Sequence, residues 1–405
     1  MRLLSIFLLC VPLWAQLSSE QKQLNLDSFE TVWTTVRDKH WETRPGGLDW
    51  EQIHAEYRPL IEKAESIDQA RRVMRTMLAR LKQTHFGIMP WSVVQSAATG
   101  AGSGAGWPGF DVRVLDGRVI AINGDLRGGE VISVDSLQLR DLVIVLSPLH
   151  ELERQRAIEF RLAGRPGDLR HFVFEEVSGT RIDRDIQLYE PPGTLSGFGR
   201  LPPQPVVFET KRIGNVGYAR LNIFLDVVGV LGSFGKFTTE CADCDGMIID
   251  LRGNPGGVGA MAMGMAGWLV ERQGQRLGVM HMRGAKLNFA INPRPGAYKG
   301  PVAVLVDGSS ASTSEIFAGG LQDLKRARIF GTHTAGAALP SVIGSLPNGD
   351  GFQYAIANYF SEGGKALEGA GVTPDEEVVL TRAALAAGGD PVIDAALNWI
   401  RGTKK

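Results

Sequence analysis

Two short apolar runs do most to limit how this chain can fold. Gly246-Met-Ile-Ile-Asp-Leu and Val302-Ala-Val-Leu-Val each run into a turn of small residues and then into helical spacing, after Gly257 and after Ser312. Runs of this kind suit strands buried on both faces, and strand-then-helix units place them in a sheet with parallel pairs and helical cover. The chain from about residue 203 to its end is therefore expected to form one α/β unit. Upstream the pattern changes. Between Leu24 and Leu81, large apolar residues recur at helical spacing, with Phe29, Val32, Trp33 and Val36 on one stripe and Met74, Met77, Leu78 and Leu81 on another. From Phe110 to about Val177 the segments are short, alternating and broken by glycine pairs, which predicts a small β-rich domain.

A stretch rich in Gly, Ala and Ser, Ala97 to Gly109, marks a loop or linker between the last two. It contains a formal GxGxxG match ending at Gly109, but no strand precedes it and Pro108 stands where a nucleotide-binding helix would begin. The 405 residues are enough for about two or three domains. Forty-three Lys and Arg against 44 Asp and Glu leave no basic excess to neutralise nucleic-acid phosphates.

The N-terminus has the layout of a secretory leader: Arg2, an apolar run from Leu3 to Trp14, then Ala15 before a polar stretch. The run is too short to span a bilayer. Export with cleavage near Ala15 is expected, and Leu9 before Cys10 is too bulky for lipoprotein processing. That leaves Cys241 and Cys244, read as a local disulfide or as free thiols, since no further ligands complete a zinc site.

The densest chemical signal is Asp307-Gly-Ser-Ser-Ala-Ser-Thr-Ser-Glu-Ile, where a strand ends in hydroxyl residues and turns into a helix. Such a turn presents a nucleophilic serine beside free backbone N–H groups, and it is equally consistent with serines that only cap the helix, with Glu315 closing a capping box. In Asp250-Leu-Arg-Gly-Asn-Pro-Gly-Gly-Val-Gly, the glycines let the backbone approach a substrate closely.

Taken in order, these two segments resemble the C-terminal-processing (tail-specific) serine protease family, whose core is ClpP/crotonase-like. Leu321-Gln-Asp-Leu-Lys-Arg-Ala, Gly331-Thr-His-Thr-Ala-Gly-Ala and Leu367-Glu-Gly-Ala-Gly-Val-Thr-Pro-Asp extend the likeness. Leu78-Ala-Arg-Leu-Lys-Gln-Thr-His-Phe-Gly resembles the His segment of the tricorn-like and interphotoreceptor retinoid-binding-protein-like branches. The resemblance puts the nucleophile on Ser312. It also puts Ala337 where the classical members carry a catalytic lysine, so a Ser/Lys dyad is ruled out. The tricorn-like branch implies His85 as base, with Thr84 as the neighbouring hydroxyl and Glu368 as the orienting carboxylate. Thr313 and either Gly257 or Gly256 are the implied oxyanion donors, while Arg252 and Asp323 are structural. The β-rich region resembles a PDZ domain, with Gly109 and Phe110 in its carboxylate-binding loop.

The expectation is a multidomain α/β chain: signal peptide 1–15, helical region 16–96, PDZ-like domain 105–178 and ClpP/crotonase-like core 203–405. Its expected activity is that of an exported serine peptidase acting on peptides or proteins, with no metal or organic cofactor and no nucleic-acid partner. The alternative is an inactive relative that binds peptides or hydrophobic ligands, because fold alone does not fix function.

Overall fold

The computed structural model describes residues 17–91, 106–197, 199 and 203–403. The leader 1–15 and most of the linker lie outside the described residues.

Three helices, Ser19–Lys39, Trp50–Glu62 and Ile67–Ala79, open the described chain. Ser18, Asp49 and Ser66 cap them, each accepting a first-turn N–H with its side chain. Both apolar stripes read from the sequence are buried in one cluster. Trp33 and Trp50 lock the first two helices together, each indole donating to the other residue's carbonyl.

After the third helix the chain passes Lys82 and His85, both at positive φ, and forms the strand Gly87–Met89. That strand pairs antiparallel with Gly351–Ala355, Gly87 standing opposite Gln353, and Ser341–Ser345 completes the three-stranded sheet. A segment from the first quarter of the chain is thereby zipped onto a hairpin from the last. Asp350, fully buried at the hairpin turn, accepts two hydrogen bonds from Arg71 and one from the Trp91 N–H. A buried carboxylate needs that partnering, so the helical region and the hairpin hold as one body.

The C-terminal region is built on a six-stranded sheet, in the order Phe208–Ile213, Val216–Leu221, Gly246–Asp250, Val302–Val306, Arg328–Gly331 and Glu376–Glu377. Only the first pair is antiparallel. Gly246–Asp250 and Val302–Val306 are buried at every residue. One face is covered by Val227–Glu240, Gly259–Ala266 and Thr313–Asp323 in the largest apolar cluster, and the other by Pro391–Gly402. Cys241 and Cys244 are joined as a disulfide between Val227–Glu240 and the strand Gly246–Asp250.

The middle region is an antiparallel sheet, but it is not β structure alone. It holds two helices, Leu139–Val145 and Glu151–Leu162, and its last strand, Arg181–Gln187, runs beyond the expected boundary at 178. In Glu151–Leu162 only Gln155, Ile158 and Leu162 are buried, so its apolar stripe is too thin to stand out in the sequence. Arg382 reaches from the C-terminal region to the carbonyls of Gly128, Glu175 and Glu176, and Arg113 crosses back to Asp307. The whole is a mixed α/β fold. No helix among the described residues is long and apolar enough to cross a membrane.

Candidate active site

The strand Val302–Val306 ends in the turn that carries Ser312. Ser312 has φ 53° and ψ −115°, outside the small left-handed well open to non-glycine residues, and it directly precedes the helix Thr313–Asp323. A strained serine at a strand-to-helix turn points to a functional role. Its side chain opens onto a cavity of about 1900 Å³ that is also lined by Thr84, His85, Gly256, Gly257, Ala337 and Glu368.

Glu315 holds the turn in place. Its fully buried carboxylate accepts hydrogen bonds from the N–H groups of Ser312 (2.9 Å), Gly336 (2.7 Å) and Ala337 (3.0 Å) and from Thr334 Oγ1 (2.6 Å). Burial pushes this carboxyl up, and the four donors oppose that shift. The Ser312 N–H is shared with the Ala337 carbonyl at 2.9 Å. Ala337 thus lies against the serine with only a methyl group to offer, and no amine can reach the hydroxyl from there. Glu315→Gln would turn an amide N–H₂ toward backbone donors and leave them unpaired. It is expected to destabilise the fold by about 2–4 kcal/mol, read as a lower denaturation midpoint.

His85 comes from the opposite side, two residues before the strand Gly87–Met89. Its Nδ1 lies 2.8 Å from Thr84 Oγ1, which in turn lies 2.8 Å from Glu368 Oε2. Glu368 also accepts the N–H of Thr84 at 2.7 Å and that of Ala338 at 3.1 Å. The carboxylate can only accept here, so the threonine hydroxyl proton is directed to it and the hydroxyl oxygen must receive Nδ1–H. That assigns the neutral tautomer with Nε2 bare. Burial, with a smaller push from Arg156, pulls the imidazole down to about 4, and burial raises Glu368 against its hydrogen bonds. No direct hydrogen bond joins Ser312 Oγ to the imidazole.

Of the expected oxyanion donors, Gly256 is a correction: its N–H is spent on Asn254 Oδ1 at 2.9 Å. The N–H of Gly257 is not so engaged, and that of Thr313, first in its helix, has no intrahelical acceptor. Both glycines are required by space. A Cβ on Gly256 would meet Ser312 Cβ at 2.7 Å, and one on Gly257 would meet the Phe224 carbonyl at 2.2 Å. Arg252 braces this turn by pairing with Asp250 and Asp390, and Asp323 accepts the Gly363 N–H, so both sit in structural roles.

Phe110 is buried edge-on against Phe172 and Phe174, and Gly109 turns the chain at φ 90°. The adjacent Asp111 N–H donates to Asn123 Oδ1 at 2.6 Å. Arg156, which reasoning from the sequence missed, lines the same cavity as Ser312; a basic residue on a polar helix carries no signal of that placement.

Residues 215–378 match the model described as peptidase family S41, and residues 25–79 match the tricorn protease C1 domain. The stretch 215–378 is therefore similar to S41 peptidase domains. The carboxy-terminal-processing protease of Bartonella bacilliformis is 28% identical over 229 residues, 50% of this chain and 51% of that relative. The carboxyl-terminal-processing protease of Synechocystis is 31% identical over 230 residues, 56% of this chain and 52% of the relative. The chain thus matches about half the length of these relatives. The solved structure of the photosystem II D1 C-terminal processing protease superposes with a TM-score of 0.57 at 20% identity, over 91% of this chain and 95% of the other. At that identity the likeness speaks for the shared fold.

Proposed function

We propose that the chain is an exported serine peptidase that cleaves peptide bonds through an acyl-enzyme on Ser312. On this reading residues 1–15 are a signal peptide, 16–96 a helical region, 105–178 with the strand beyond it a PDZ-like domain, and 203–405 a ClpP/crotonase-like core. Ser312 Oγ attacks the scissile carbonyl carbon, its proton passes to His85 Nε2, and the same proton is given to the leaving amine. Water then attacks the acyl carbon, again with His85 as base, and releases Ser312. The N–H groups of Gly257 and Thr313 receive the developing oxyanion. Thr84 and Glu368 hold the imidazole and stabilise its cation.

The observation that carries this reading is the unbroken line from Glu368 through Thr84 to His85, which fixes the basic nitrogen and opens into the cavity that Ser312 enters. A fluorophosphonate probe tests it. The full chain should gain one adduct, mapped by mass to Ser312, and lose its hydrolysis of unstructured peptides in step. No adduct and no hydrolysis would leave the ligand-binding alternative.

A depressed imidazole also sets the pH profile. The base must be neutral, and a group held near 4 loses its proton well below the ordinary 6.5. The acid limb of kcat/KM is therefore expected near pH 4 to 5, with a plateau through neutrality, as measured on a small uncharged peptide. A limb at 6.5 would place His85 in open solvent.

A further inference from the structure

We propose that Arg156 is a substrate-binding residue that takes a carboxylate of the peptide inside the catalytic cavity, and that the middle domain's strand-edge groove does not. The inference rests on the peptidase reading and adds to it the chemistry of the bound peptide. Four arginines line the cavity. Arg113 is tied to Asp307 and Glu159, Arg220 to Asp111, and Arg252 to Asp250 and Asp390. Arg156 makes no hydrogen bond or ion pair with any described residue. Its helix, Glu151–Leu162, is fixed from both sides. Leu152 packs against Ala311, Ala335 and Ala337 beside the serine, and the buried Gln155 donates to the Val112 carbonyl at 2.7 Å. The helix is thus anchored beside the site, and Arg156, exposed to solvent, lines the cavity from it, with Glu159 and Glu153 as the acids that act on it.

The groove that a PDZ-like domain would offer is partly occupied by the helix Glu151–Leu162. Val112–Leu115 is an edge strand, yet its Val112 carbonyl is taken by Gln155, while the Asp111 N–H and carbonyl are turned inward to Asn123 and Ile122. A peptide adding to that edge would have to displace the Gln155 hydrogen bond. A planar guanidinium that lacks a partner among the described residues is suited to bidentate capture of a carboxylate. Binding there has a second effect. Arg156 depresses the His85 imidazole, so a carboxylate that neutralises it restores part of the basicity His85 needs.

The test uses the full chain and peptides that differ only in a free or an amidated C-terminus, with a second, amidated pair that differs in Asp or Asn near the end. Wild type should favour the carboxylate member of one pair by about tenfold or more in kcat/KM. In Arg156→Gln that ratio should fall to near one, with Arg156→Lys in between, and the acid limb should move to higher pH because a cation near His85 is gone. Discrimination in the first pair assigns the chain terminus, and in the second an acidic side chain. Anisotropy of the same labelled peptides on Ser312→Ala reads the binding preference even where nothing is cleaved, so failure of the peptidase reading stays separable. Equal binding and turnover of both members by wild type, or an undiminished ratio in Arg156→Gln, would overturn the proposal.

Discussion

Ser312→Ala is expected to lower kcat/KM by about 10⁵-fold or more while the protein stays folded. On the proposed mechanism its loss removes the atom that forms the acyl bond. What remains is binding and the oxyanion donors, which contribute modestly on their own. The Ser312 side chain closes a capping box with the Glu315 N–H at the start of Thr313–Asp323, and the Ser312 N–H is held by the Glu315 carboxylate and the Ala337 carbonyl. Stability should therefore fall only by the loss of that cap, about 1 kcal/mol. Ser312→Gly adds a check on the strained backbone: at φ 53° and ψ −115° glycine has no Cβ to penalise, so it should be about 1 kcal/mol more stable than Ser312→Ala in chemical denaturation. Equal stability of the two variants would mean that the turn stores no strain.

His85→Ala should cost about 10⁴-fold in kcat/KM, because on the proposed mechanism it is the base that takes the serine proton. The position where a lysine would act holds Ala337, whose N–H and carbonyl already serve Glu315 and Ser312. Glu368→Gln should cost less, about 10²- to 10³-fold. An amide there can donate to Thr84 Oγ1, which releases the hydroxyl proton toward Nδ1 and moves the ring proton to Nε2, the nitrogen that must accept. Steady-state kinetics on one peptide across the three variants would check the order Ser312, His85, Glu368. Activity retained in His85→Ala would point to a different base.

Much of this was legible in the sequence where the pattern is local. The buried strands Gly246–Asp250 and Val302–Val306 announce themselves by composition, and the stripes around Phe29 and Met74 by period. The residues of the hydrogen-bonded line were legible only through resemblance, since Thr84 and Glu368 are 284 positions apart and meet through a pairing of Gly87 with Gln353 that no local pattern encodes. Backbone partners were not legible at all. Gly256 and Gly257 look alike in sequence, yet one N–H is consumed by Asn254, and only folding reveals it. The middle helix was hidden for a related reason: its face toward the site is polar and charged, which reads as solvated surface until Gln155 and Arg156 are seen against the cavity.

The rate of fluorophosphonate labelling of Ser312 as a function of pH, in wild type and in His85→Ala, tests the pairing of these two residues most directly. The pairing predicts fast labelling in wild type with an acid limb between pH 4 and 5, and in His85→Ala a rate at least about 100-fold slower with that limb gone. Labelling of His85→Ala at the wild-type rate and with the wild-type pH profile would contradict it.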